Sequence, residues 1–331
     1  MPSPPGCATL ADRLRGLGRL PVTSDSMAIS RRARAARRLL VRVSNGSELS
    51  VGQFSVDRAR ERMDQLDRLP RPRHVDYIDT LVGGVPAIVA TPTAVPPERH
   101  LLYIHGGAYV LGSPKSHIAM VANLAKRASA TATVVEYRLA PEHVHPAAVD
   151  DCVAAYRAMI TDVDPATVTI AGDSAGGGAT LSTLVALRDA GDPLPAAAYL
   201  LSPWTDLTGS GESVVTRASA DPMFDGTKIT EAGRVYAGDV PLDHPGVSPL
   251  FADLTGLPPM LIQTGMDEVL LSDSTRLADR ARAVGVDVTL DLAEGMWHVY
   301  QLFAPLVPEA TDALVRAAVF MRARTPTVLS V

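Results

Sequence analysis

Cysteine is almost absent: the 331 residues hold two, Cys7 and Cys152. That excludes a disulfide framework and leads to the expectation of a reduced, cytoplasmic setting. Long apolar runs are also missing. Short stretches such as Ala196 to Leu201 fall far below the roughly 18 residues that span a bilayer. The opening residues, MPSPPGCATLADRLRGLG, lack a basic start followed by an apolar core, so no secretory signal is read. Residues 1–30 carry few structural signals and are expected to be loosely ordered. Repeats and low-complexity tracts are absent too. Lysine is scarce, with three against 28 arginines, and the formal net charge is −5. An acidic balance argues against nucleic acid as a partner. What remains is ordinary for a soluble globular chain: 47% hydrophobic and 20% charged residues, long enough for one large domain or two small ones with a substantial core.

The charge is uneven. Residues 1–99 hold 16 basic against 10 acidic side chains, and the remainder 15 against 26. Six arginines fall between Arg31 and Arg42. On a helix, Arg31, Arg34, Arg38 and Arg42 share one face, with Ala33, Ala36, Leu40 and Val43 roughly opposite. Such a face is either solvated or in weak contact with an anionic membrane surface. A second helical pattern runs from Val56 to Leu69 and is closed by Pro70 and Pro72.

From about Val75, short β-branched or apolar runs alternate with helical patterns. Strands are expected at 75–81, 86–90, 101–104, 133–136, 168–171, 198–201, 260–263 and 286–292. Helices are expected at 118–130, 147–160, 175–190, 272–284 and 308–322. Continuous apolar runs such as LLYI suit strands buried on both faces, and the alternation argues for a mostly parallel α/β sheet. Sites in such sheets lie at the carboxyl ends of strands. The stretch from Trp204 to Pro259 breaks the rhythm; it is rich in Gly, Pro, Asp and Ser, with a helical piece near 227–237. An insertion of that length is usually functional. With the N-terminal helices it is expected to cover the site.

The strongest chemical signal is Gly172-Asp173-Ser174-Ala175-Gly176, set between a strand and a helix. That is the context a nucleophile elbow requires. The glycines let the chain bend around Ser174, and the Ala175 N–H lies at a helix start, facing a developing negative charge. Upstream, the strand ending at Ile104 runs into His105-Gly106-Gly107-Ala108. Adjacent glycines allow close approach of backbone to ligand, and the N–H groups of Gly106 and Gly107 with that of Ala175 would form an oxyanion hole.

A serine hydroxyl needs a base, and partners follow such an elbow in the order serine, acid, histidine. Only His244 and His298 lie downstream of Ser174. His244 falls in the inserted stretch, in LDHPGVSP, as a turn residue; His298 follows the last strand and is the expected base. After the preceding strand, MLIQTGMDEVLLSD offers Asp267, Glu268 and Asp273. Asp267 is the first acid past the strand end and follows the turn-forming Gly265, so it is the expected acid, with Asp273 second.

Taken in order, HGGAYVLGS, YRLAPEHVHPAAVDD, AGDSAGG, DEVLLSD and GMWHVYQ resemble the hormone-sensitive lipase-like carboxylesterases, family IV of the bacterial lipolytic enzymes, within the α/β-hydrolase fold. The resemblance covers roughly residues 75–323. It implies an eight-stranded, mostly parallel sheet flanked by helices and a helical cap. It implies residues 75–203 and 260–331 as the core, with residues 1–74 and 204–259 contributing the cap. It carries the triad onto Ser174, Asp267 and His298 and the oxyanion donors onto Gly106, Gly107 and Ala175. The implied activity is hydrolysis of short- to medium-chain carboxylic esters without cofactor or metal, by a monomer or homodimer. Two departures stand out: Ala108 replaces the frequent third glycine, which marks a roomier acyl pocket, and Asp267-Glu268-Val269 replaces Asp-Pro-Leu. Arg138, Glu142 and Asp151 read as a structural ion-pair set, and Asp173 as structural. Candidate pocket liners are Tyr109, Trp204, Met223, Phe224, Trp297 and Tyr300. The same triad would also serve an amidase, deacetylase or lactonase. A ligand-binding protein of this fold would lack the base, whereas His298 is present.

Overall fold

The computed structural model describes residues 29–45, 56–94, 97–224 and 229–325. The N-terminal stretch expected to be loosely ordered lies, through residue 28, outside them. The elements are helices α1 (Arg31–Asn45) and α2 (Val56–Asp64), strands β1 (Val75–Val82), β2 (Val85–Pro92) and β3 (Arg99–Ile104), α3 (Pro114–Ala128), β4 (Ala130–Val135) and α4 (Ala147–Met159). There follow β5 (Val168–Asp173), α5 (Ala175–Ala190), β6 (Ala197–Leu201), α6 (Ser213–Thr216), α7 (Ile229–Ala237), β7 (Met260–Gly265), α8 (Leu271–Ala283), β8 (Val288–Ala293) and α9 (Pro308–Arg324).

The strands form one eight-stranded sheet in the order β1-β2-β4-β3-β5-β6-β7-β8. Only β2 runs against the rest, pairing antiparallel with both β1 and β4. The central strands alternate between two cores because both faces are covered. Leu102 and Ile104 point into a cluster with α4, α5 and α8, while Leu101 and Tyr103 point into one with α1, α3 and α9. Each such side chain contributes about 1.5–3 kcal/mol on full burial, which is why these strands read as unbroken apolar runs.

Several boundaries differ from the expected ones, and two of the differences have clear local reasons. Helix α3 starts four residues before Ile118, because Ser113 caps it, Ser116 closes the capping box and Pro114 occupies the first turn, where a missing N–H costs nothing. The pattern over 56–69 divides into α2 and a short 3₁₀ turn, Gln65–Arg68. Helix α1 presents Arg31, Arg34, Arg38 and Arg42 outward, with Ala33, Ala36 and Leu40 turned inward. Among the described residues, no helix is long and apolar enough to cross a membrane.

Candidate active site

The elbow is a forced geometry. Ser174 sits at φ 53°, ψ −122° between β5 and α5. A non-glycine residue there stores about 1–3 kcal/mol of strain, held by surrounding contacts. Its N–H donates to Leu201 O at 2.9 Å, and its carbonyl accepts from Trp204 N at 2.8 Å and Gly178 N at 3.1 Å. The flanking glycines are steric necessities. A Cβ on Gly172 would lie 2.3 Å from Gly176 O, and one on Gly176 would lie 2.1 Å from Ile104 O. The second contact shows that the elbow lies directly against the end of β3. Ala175 opens α5, so its N–H has no acceptor within the helix.

Behind the elbow Asp173 is fully enclosed. It accepts from Tyr103 Oη at 2.7 Å, Gly106 N at 3.0 Å and His117 Nε2 at 3.3 Å. Burial pushes its carboxyl up, but His117 and the Tyr103 hydroxyl outweigh that and hold it below its usual value. Burial likewise lowers His117, and Asp173 more than reverses it. Each partner of this buried pair thus favours the charged form of the other. Neighbouring His105 is driven down to about 3, first by burial and then by His117. It stays neutral, stacked on Tyr137 with ring centroids 4.3 Å apart.

This arrangement corrects one expected oxyanion donor. The Gly106 N–H is already given to Asp173. No hydrogen bond from the N–H groups of Gly107 or Ala108 is found among the described residues; the loop closes instead through Val110 N and Leu111 N, which donate to Gly107 O at 3.0 and 2.7 Å. Gly107 has φ +125°, and a Cβ there would meet Leu111 O at 2.2 Å. Ala108 and Tyr109 follow at φ 55° and 62°.

The expected acid is corrected as well. His298 Nδ1 lies 3.4 Å from Glu268 Oε1, not against Asp267. Glu268 is fully buried, and its other oxygen accepts from Ser202 Oγ at 2.8 Å and Gly265 N at 3.0 Å. Asp267 turns the opposite way and pairs with Arg37 of α1 at 2.5 Å. Consecutive residues leaving a strand diverge, so only one of the two can face the histidine. Burial lowers the His298 imidazole, but Glu268, with Asp221 and Asp173 beyond it, carries it above the ordinary histidine value. Asp273, the second candidate, is buried on α8, accepting from Thr205 N at 2.7 Å and Asp206 N at 2.8 Å. His244 accepts from Gly246 N at 3.1 Å within its own turn.

Sequence reasoning missed Ser202. Its residue neighbour Leu201 accepts from Ser174 N, its own hydroxyl donates to Glu268, and it accepts from Val299 N at 3.1 Å. One turn after β6 thus touches the loops of Ser174, Glu268 and His298. A positive φ of 43° has no sequence signature in a serine. Asp221 was missed too; its carboxylate accepts from Val269 N at 3.0 Å, Met223 N at 2.8 Å and Phe224 N at 3.1 Å.

Of the expected pocket liners, Phe224 reaches the site. Its ring meets the His298 ring edge-on at 5.0 Å, and it is 41% exposed. Tyr109 and Trp204 are instead buried in the first core, with Tyr109 stacked on Tyr236 at 3.7 Å. Trp297 and Tyr300 belong to the second core, where Trp297 packs edge-on against Phe303. Met223, partly buried, borders that same cluster. Arg138 pairs with Asp151 at 2.8 Å as expected, but Glu142 pairs with Arg60 of α2, also at 2.8 Å. Arg60 further donates to Val110 O and Ala140 O, at 2.8 and 3.0 Å, bracing the segment after the glycine loop. Among the described residues, no group of three or more His, Cys, Asp or Glu could hold a metal ion.

A family profile described as an alpha/beta hydrolase fold matches residues 101–302. An acetyl-hydrolase of Streptomyces hygroscopicus is 44% identical over 228 residues, 69% of this chain and 76% of that protein. An esterase of Acinetobacter venetianus is 37% identical over 266 residues, 79% of this chain and 87% of that one. The crystal structure of an esterase from the bacterial hormone-sensitive lipase family superimposes with a TM-score of 0.86 at 38% identity, covering 91% of this chain and all 100% of the other. Fold, elbow and relatives agree, and the chain belongs to the hormone-sensitive lipase-like esterases of the α/β-hydrolase fold, a family of carboxylic ester hydrolases.

Proposed function

We propose that the protein hydrolyses short- to medium-chain carboxylic esters through an acyl-enzyme on Ser174, with His298 as base and Glu268 as the acid that orients it. The observation that carries this reading is the buried His298–Glu268 pair, joined through Ser202 to the strained turn that presents Ser174. Ser174 Oγ attacks the acyl carbon as His298 takes its proton. Negative charge on the carbonyl oxygen is met by the N–H groups of Gly107, Ala108 and Ala175; one such donor is worth roughly 10²–10³ in rate. His298 then protonates the leaving alcohol, and water frees the acid by the same steps in reverse order. Glu268 holds the imidazole tautomer and steadies the imidazolium, as a triad carboxylate does. The 3.4 Å contact is long for a hydrogen bond, as unliganded catalytic contacts often are.

The described parts of the two expected cap segments, residues 29–45, 56–74, 204–224 and 229–259, serve as the cap over this core, and Phe224 is the cap residue whose ring meets the base. The name of the acetyl-hydrolase relative supports a small acyl group, and that of the esterase relative supports an ester bond. The acetyl-hydrolase name gives the group removed and not the bond, so p-nitroacetanilide belongs in the assay beside p-nitrophenyl esters from acetate to palmitate. The expected result is a maximum at short or medium esters that Ser174→Ala abolishes. A folded wild-type protein that turns over no ester refutes the reading.

A further inference from the structure

Arg37 stands where four segments meet. Its Nη1 donates to Asp267 Oδ2 at 2.5 Å and to Gly295 O at 3.4 Å, and its Nη2 donates to Ala220 O. Each acceptor lies close in sequence to a group that bears on His298. Asp267 immediately precedes Glu268, and Gly295 is in the loop that carries His298. Ala220 precedes Asp221, whose carboxylate takes Val269 N from the acid loop and the N–H groups of Met223 and Phe224. Phe224 in turn lies on the His298 ring.

The helix that carries Arg37 is itself fixed. Ser30 donates through N and Oγ to Glu309 of α9, at 2.6 and 3.0 Å, and its Oγ caps Ala33 N at 3.0 Å. Ala33 is fully buried, and a Cβ on Gly295 would lie 2.6 Å from Ile29. Docking of α1 therefore delivers a guanidinium whose diverging nitrogens reach three other segments at once. A lysine could keep the charge near Asp267 but could not reach Ala220 as well.

We propose that Arg37 is a positioning residue that couples docking of α1 to alignment of the His298–Glu268 pair, with Asp267 as its anchor. The inference rests on Glu268 being the acid. Arg37 touches no substrate atom; it fixes the acid loop, the histidine loop and the segment leading to Phe224 relative to one another.

The test compares Arg37→Met, Asp267→Asn, the double variant, Arg37→Lys and Glu268→Gln. Steady-state kinetics are measured on p-nitrophenyl butyrate at a temperature well below every melting point. Arg37→Met and Asp267→Asn are each expected to lower kcat roughly 10- to 100-fold, the scale on which small misplacements act, with KM unchanged. The double variant should lose no more than either single, because both remove one contact. Arg37→Lys should recover part of kcat. A lower melting point with unchanged kcat in Arg37→Met would reduce the contact to a structural one and overturn the proposal, as would losses that multiply in the double variant. Glu268→Gln keeps the two readings apart. If it retains wild-type kcat, the acid assignment fails. If it loses roughly 10³-fold or more while Arg37→Met loses nothing, only the coupling fails. A loss in Asp267→Asn as deep as in Glu268→Gln overturns both.

Discussion

Replacing Glu268 by glutamine removes one charge and almost no volume. In the wild-type structure Glu268 is wholly buried, one oxygen against His298 and the other held by Ser202 Oγ and Gly265 N. The amide can keep the Ser202 and Gly265 contacts through its carbonyl oxygen. Its NH₂ then faces His298 Nδ1 and favours the tautomer with the proton on Nε2, the nitrogen that must accept from Ser174. Loss of the orienting carboxylate in a serine triad costs roughly 10⁴ in kcat, or about 5 kcal/mol at 1.36 kcal/mol per decade. The pH profile should move with it. Burial lowers the His298 pKa and Glu268 is the leading influence that raises it, with Asp221 and Asp173 adding to it. Without Glu268 the imidazole titrates lower, so the acid limb of kcat/KM, which reports the free enzyme, moves to lower pH. The assay is p-nitrophenyl butyrate hydrolysis across pH, with circular dichroism melts to confirm folding. A folded variant with kcat within tenfold of wild type, or an acid limb that moves upward, would refute the assignment of Glu268.

Two further outcomes follow from buried polar groups. Ser202→Ala deprives Glu268 of a donor and Val299 N of an acceptor. At about 1–3 kcal/mol for each orphaned group, it should lower the melting point measurably and reduce kcat; unchanged values of both would contradict the role given to this turn. Asp273 has its carboxyl pushed up to about 7 by burial, and its Oδ1 has no hydrogen-bond partner among the described residues. The folded chain therefore holds that proton more tightly than the unfolded chain, and stability falls as pH rises from the ordinary carboxyl range to about 7. Asp273→Asn, which does not titrate, should raise the melting point more at pH 8 than at pH 5, and calorimetry at the two pH values decides it.

The sheet and the elbow were legible because their signals are local. LLYI is buried on both faces wherever it is placed in such a sheet, and the glycines around Ser174 state their own geometry. The carboxylate that faces His298 was not legible. Asp267 and Glu268 are neighbours of similar chemistry, and which of them faces the histidine depends on the turn after Gly265 and on Arg37, 230 positions away from Asp267. The Gly106 N–H was assigned to the substrate because nothing local reveals that Asp173, 67 positions on, takes it. The tryptophans read as pocket walls because a sequence shows that a residue is apolar but not which side of a loop it faces. Trp297 directly precedes His298, yet its ring turns into the core behind the sheet. By contrast, the start of α3 was available in Ser113-Pro114, a cap and first-turn pair of the ordinary kind.

The central claim is that Ser174 carries the acyl group. Incubation with a fluorophosphonate, followed by digestion and mass spectrometry of the peptide spanning Val168 to Arg188, tests it most directly. The account predicts a single phosphonyl adduct on Ser174, formed in step with loss of esterase activity and absent in Ser174→Ala. An adduct on another residue, or esterase activity that survives full modification of Ser174, would contradict it.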